Sequence, residues 1–205
     1  MNYLAHAYLS FELPEITVGN LISDFIKGKQ KEAFPEKIRQ GIMLHRAIDG
    51  FTDTHPTTRQ AKSYFREAYG LYSGALVDIV YDHFLANDAL TFPPDENNSS
   101  LKAFAQRTYE RVGDWQAILP QRFARLFHYM RTQDWLANYG HKELIFNSFE
   151  GLARRASYMP PPGQAITLFE THYAGLEACY VDFFPEVKDF ALRTLQQLQQ
   201  DGKKE

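Results

Sequence analysis

GIMLHRAIDGFTD, residues 41–53, sets His45, Arg46, Asp49 and Asp53 inside an apolar pattern that repeats like a helix. Ile38, Ile42, His45, Asp49 and Asp53 advance by three and four residues, the spacing that lines side chains along one helix face. A face that begins with isoleucines points inward. Histidine and carboxylates on such a face need partners, because an unpaired buried charge is costly, and a metal ion is one candidate partner.

The same periodicity extends outward through nearly all of the 205 residues. Leu21, Phe25 and Gly28 step by four and three, as do Leu76, Val80 and His83 with Ile79 beside them. Alternating strand-like runs are scarce. Pro14 closes a short first segment, Pro35 can begin the helix of the opening stretch, and Thr54-His55-Pro56 ends it and starts another. Pro120 starts a later helix, while residues 91–100 (TFPPDENNSS, with Asn97 and Asn98) and 160–163 (PPPG) read as surface loops. The final helix, from about Gln164 to Gln200, is expected to break or bend near Pro185. The pattern predicts an all-α fold: one compact multi-helix domain over residues 1–200, with about seven to nine helices, and a charged tail at 201–205.

Composition narrows the function classes. A hydrophobic content of 44% with 15% aromatics suits a globular chain, and a net charge of −3 gives no global field for nucleic acid or membrane. The one cysteine, Cys179, excludes an intrachain disulfide and a cysteine-based zinc site. Glu12 and Glu15 stand where a cleavable signal would stay apolar, and no run approaches the ~20 apolar residues of a membrane span. The expectation is a soluble, cytoplasmic protein without nucleic-acid or membrane partners.

Four segments carry polar groups where helical patterning calls for apolar ones: His6 in NYLAHAYL, Asp24 in GNLISDFIKG, His45 with Asp49, and Asp82 with His83 in VDIVYDHFL. Each has an ordinary structural explanation alone. His6 could be a core histidine, Arg46 could form a surface ion pair with Asp49 or Asp53, and Asp78 could favour a helix dipole. Together they point to one shared site. Imidazole nitrogens and carboxylate oxygens converging from several helices suit a divalent transition metal such as manganese, iron or zinc. The expected ligands come from His6, Asp24, His45, Asp49, Asp82 and His83.

MNYLAH at the start, GNLISDFIKG at 19–28, GIMLHRAIDGFTDTHP at 41–56 and VDIVYDHFL at 77–85 resemble the bacterial acyl carrier protein phosphodiesterases. NYGHKELIFNSFEGLARR at 138–155 and THYAGLEACYVDFFPE at 171–186 are similar to the same family's second half. The resemblance implies an all-helical enzyme distantly related to HD-domain phosphohydrolases. It further implies hydrolysis of the phosphodiester between 4′-phosphopantetheine and a serine of holo-acyl carrier protein, with manganese or another divalent cation as cofactor. The adjacent pair here reads Asp82-His83, the reverse of the HD signature, so ligands do not transfer mechanically.

On that reading Asp24, His45, Arg46 and Asp49 carry catalysis, with Arg46 as the cation for the phosphate and Asp24 directing water or a proton. The acidic partner calls for a basic rim: Lys27, Lys29 and Lys31; Arg122 and Arg125 with Arg131; Arg154 and Arg155. The aromatic helices around Phe65 and Tyr69, and around Phe123 and Phe127, read mainly as core, with a lining for the pantetheine arm as the alternative. The rivals are an HD-like nucleotide phosphohydrolase and a non-catalytic helical module that docks an acidic partner. A di-iron oxidoreductase is disfavoured, because these segments lack Glu-x-x-His pairs.

Overall fold

Two glycines let helix α2 (Pro14–Ile22) and helix α3 (Glu36–Thr54) meet backbone to backbone. A Cβ on Gly41 would collide with the Ile16 carbonyl and stand 2.9 Å from the Gly19 Cα, and one on Gly19 would collide with the Ile38 carbonyl. Gly41 opens the 41–53 stretch, and His45 lies one helical turn beyond it. The close crossing therefore brings Asn20, next to Gly19, and the short 3₁₀ turn Ser23–Phe25 over the face that bears His45.

The computed structural model describes residues 1–93 and 100–202. Among them it forms eleven α-helices and no strand. Besides α2 and α3 these are α1 (Tyr3–Tyr8), α4 (Pro56–Tyr69), α5 (Ser73–Ala86), α6 (Ser100–Gly113) and α7 (Gln121–Thr132). They continue with α8 (Trp135–Asn138), α9 (Lys142–Arg155), α10 (Gly163–Thr171) and α11 (Tyr173–Asp201). The all-α expectation holds; the greater number comes from the short α1 and α8 and from a split last segment. That split falls at His172, whose ring stacks on Tyr64 at 4.6 Å. Helix α11 instead runs unbroken through Pro185. Pro185 and Val181, whose carbonyl loses its helical donor, are both exposed, so water can take the donor's place. Asn97 and Asn98, most of the 91–100 loop and the end of the charged tail lie outside the described residues.

Prolines open the helices as their fixed φ and missing N–H dictate: Pro14 and Pro56 in the first turn, Pro35 and Pro120 just before it. Ile38, Ile42, Leu44 and Ile48 of α3 are wholly buried, as are Leu76, Val77 and Val80 of α5. Helix α1 packs on both α2 and α5. Its first turn is fastened by the Asp82 carboxylate, which accepts the Leu4 amide at 2.7 Å and the Ala5 amide at 3.2 Å. That attachment fixes where His6 stands. No helix among the described residues is long and apolar enough to cross a membrane.

Candidate metal centre

His6 on α1 and His45 on α3 stack face to face, with ring centroids 3.9 Å apart. Asp49, one turn beyond His45, joins them: its Oδ1 is 3.2 Å from His6 Nε2 and its Oδ2 is 3.1 Å from His45 Nε2. Asp24 arrives from the turn after α2, with Oδ1 3.1 Å from the same His45 nitrogen. His6, His45 and Asp49 each offer a ligand atom within 4.8 Å of the other two. Both rings are buried, whereas the Asp24 side chain is 69% exposed and marks the open side. A small cleft bounded by Asn2, Tyr3, His6, Asp24 and His45 opens there.

The tautomer of His6 follows from its neighbours. The amide nitrogen of Asn20 donates to the His6 carbonyl at 2.9 Å and to Ser10 Oγ at 3.0 Å. Its oxygen, 2.8 Å from His6 Nδ1, is therefore an acceptor, so Nδ1 carries the hydrogen. Nε2 is left with a lone pair. Although close to Asp49, it has no partner of hydrogen-bond geometry among the described residues and is buried. A buried, unprotonated imidazole nitrogen beside the Asp49 carboxylate fits a divalent cation and is costly without one. Asn20→Leu removes the acceptor that sets this tautomer and is expected to weaken manganese binding about 10–100-fold by calorimetry. Unchanged affinity in the folded variant counts against the assignment.

Charge is distributed unequally over the cluster. Burial opposes a charge on His45, but hydrogen bonds to Asp24 and Asp49 outweigh it and raise its pKa to about 9. Burial, helped by the neighbouring His45 charge, lowers His6 to about 4. Burial alone would raise Asp49, yet the hydrogen bond from protonated His45 and the Met1 ammonium, 3.5 Å from Oδ1, hold it far below the usual carboxylate range. The hydrogen bond from His45 is the main reason that Asp24 is also lowered. Near neutral pH the metal-free cluster thus holds one proton, on His45, between two carboxylates. A cation binding there has to displace it.

Two of the six expected ligands stand elsewhere. Successive helical residues point about 100° apart, so Asp82 and His83 diverge. Asp82 is spent on the α1 amides, and Asp78, on the same face, pairs with the Met1 ammonium at 2.9 Å. His83 Nδ1 donates to the Tyr139 carbonyl at 2.7 Å, and its Nε2 accepts from the Tyr173 hydroxyl at 3.0 Å. Arg46 is exposed and reaches the Ile26 carbonyl at 3.0 Å rather than Asp49, steadying the chain just after Asp24; Asp53 pairs with Lys62. Sequence reading missed Asn20. Its signal was an amide in the apolar run of α2, four residues before Asp24.

The basic candidates are distributed around this centre. Lys27 and Lys29 are exposed just beyond Asp24, whereas Lys31 is partly buried near Glu32 and Met43. Phe25 packs on Phe123 at 5.4 Å, which sets the start of α7, with exposed Arg122 and Arg125, beside the Asp24 turn. Arg154 and Arg155 are exposed at the end of α9, and the charge of Arg155 is felt at the Tyr3 hydroxyl together with that of Asp24.

The comparison with known proteins points one way. The profile of a family described as acyl carrier protein phosphodiesterase matches residues 1–187. A Yersinia pestis protein named acyl carrier protein phosphodiesterase is 32% identical over 185 residues, covering 90% of this chain and 94% of its own. An Escherichia coli O157:H7 protein of the same name is 32% identical over 193 residues, covering 94% and 98%. No solved structure matches.

Proposed function

The chain belongs to the acyl carrier protein phosphodiesterase family, and from that premise we propose that it hydrolyses the phosphodiester linking 4′-phosphopantetheine to the serine of holo-acyl carrier protein. The products are the apo-protein and free 4′-phosphopantetheine. One observation carries this: His6, Asp24, His45 and Asp49, from three separate segments, meet at an open cleft with the His6 Nε2 lone pair unused.

A divalent cation, for which manganese is the first choice, supplies Lewis acidity toward a phosphoryl oxygen and acidifies water. His6, His45 and Asp49 would hold it, two imidazoles and a carboxylate leaving room for substrate. Asp24 is ionised at neutral pH and most exposed of the four, with Oδ1 on His45 and Oδ2 free of hydrogen bonds among the described residues. It is the group to take a proton from the attacking water and return it to the departing serine oxygen. Arg46, held by Ile26, positions the Asp24 turn and keeps its charge at the surface. Lys27, Lys29, Arg122, Arg125, Arg154 and Arg155 are exposed and offer the acidic carrier protein its electrostatic guide. The His/Asp donor set supports kinship with HD-type phosphohydrolases, although here the joined pair is His45 with Asp49. The carrier-protein substrate supports a cytoplasmic setting.

Intact mass spectrometry of purified holo-acyl carrier protein tests the reaction. After incubation with the metal-stripped protein, the carrier is expected to lose the mass of 4′-phosphopantetheine only when manganese is added. A carrier whose mass is unchanged by the folded, metal-loaded protein overturns the reading.

A further inference from the structure

A cavity of about 420 Å³ lies beside the metal centre and shares Asn2 and Tyr3 with its cleft. The volume is that of a small-molecule site. It lies among α1, α5, α8 and α9, away from the aromatic helices read as core, where Phe65, Tyr69, Phe123 and Phe127 are indeed buried. Tyr3 lines both spaces, with Asp24 in the lining of the cleft and Arg155 in that of the cavity.

The lining has a particular chemistry. Gln133 accepts the Trp135 indole N–H at 2.9 Å, which leaves its NH₂ without a partner among the described residues. Asn138 donates to the Gln133 carbonyl at 2.7 Å, which leaves its own oxygen without a partner among the described residues. Asn147 adds a third amide side chain, Ile79 and Leu144 add apolar wall, and Arg155 at the rim makes no salt bridge among the described residues. We propose that this cavity receives the 4′-phosphopantetheine arm of the substrate, an assignment that rests on the reaction proposed above. The arm carries two secondary amides, a hydroxyl, a geminal dimethyl group and a terminal thiol behind its phosphate. Open amide donors and acceptors complement the first two, apolar wall the dimethyl group, and Arg155 the phosphate. A bare hydrocarbon chain would instead bury those amide groups unpaired, which is unfavourable.

Gly151 on α9 provides the test. A Cβ there meets no atom within 4 Å, and the residue lines the cavity, so Gly151→Leu fills the space without striking backbone. Gaining a good helix former, it is expected to melt at or above the wild-type temperature. Pantetheine and 4′-phosphopantetheine are titrated into wild-type protein and into Gly151→Leu, read by calorimetry and tryptophan fluorescence. Wild type is expected to bind both, with Gly151→Leu at least tenfold weaker for both. Arg155→Ala is expected to weaken only the phosphorylated ligand. Equal binding by Gly151→Leu overturns the location. Failure of wild type to bind either ligand, while holo-acyl carrier protein is still cleaved, overturns the arm as occupant. If both ligands bind wild type and are lost from Gly151→Leu, yet no carrier is cleaved, the cavity stands and the proposed reaction falls.

Discussion

Asp49→Asn is expected to lower hydrolysis of holo-acyl carrier protein on the order of 10³-fold or more, because one carboxylate serves both imidazoles and would hold the proposed cation with them. The same substitution should reshape stability against pH. In the metal-free wild type, the pKa of His45 is about 9, against about 6.5 for an unfolded histidine. A raised pKa gives stability that is full below about 6.5 and is lost as pH climbs through 9, worth about 3 kcal/mol. His6, at about 4, has the opposite sign: buried neutral, it contributes fully above 6.5 and costs stability as pH falls toward 4. Metal-free melts should therefore peak near pH 6.5 as far as these two groups govern them. Manganese should remove the alkaline arm, since the cation takes the place of the His45 proton. In Asp49→Asn the ring keeps only Asp24, its pKa drops back, the alkaline arm shrinks, and added manganese no longer raises the melting temperature. Circular dichroism melts from pH 5 to 9 decide this; a variant that still gains stability from manganese and turns over normally shows that Asp49 is not a ligand.

The helical pattern carried the gross fold because its signals are local. Isoleucines at 38, 42 and 48 face the core for the same reason that their spacing marks a helix, and Pro35 and Pro56 bound their helices through their own ring geometry. The spaced pair His45 and Asp49 was legible likewise, since i and i+4 share a face. Asp82 shows where spacing stops being informative. An acid in an apolar helix must meet something, but sequence does not say whether that is a metal or two amides at the start of another helix. His83 diverges from it by a single helical step, and its partners, Tyr139 and Tyr173, come from segments over fifty residues away. The cavity beside Tyr3 depends on how α8 and α9 approach α1, which no local pattern encodes.

Gly41→Ala is expected to be among the most damaging single substitutions outside the metal cluster, and it deletes no interaction. In an open helix the change would stabilise by up to about 1 kcal/mol. At position 41 the new methyl group meets the Ile16 carbonyl, the Gly19 Cα at 2.9 Å and the Asn20 amide nitrogen at 3.0 Å. All three are backbone, so no side chain can rotate away, and α2 as a whole must retreat from α3. Overpacking of this kind costs about 1–3 kcal/mol and sometimes more, and rigid neighbours place it at the upper end, about 3 kcal/mol. For a chain of this size that corresponds to a melting temperature lower by roughly 6–12 °C. Gly50 supplies the internal comparison. It lies in the same helix with nothing within 4 Å of an added Cβ, so Gly50→Ala should melt at or slightly above wild type. The two alanines are chemically the same change and should differ in sign. Because the retreat of α2 also draws Asn20 from His6 and Asp24 from His45, Gly41→Ala should bind manganese more weakly even where it remains folded. If it melts with Gly50→Ala and binds manganese like wild type, the two helices do not cross as closely as Gly19 and Gly41 require, and the placement of the whole cluster would have to be redrawn.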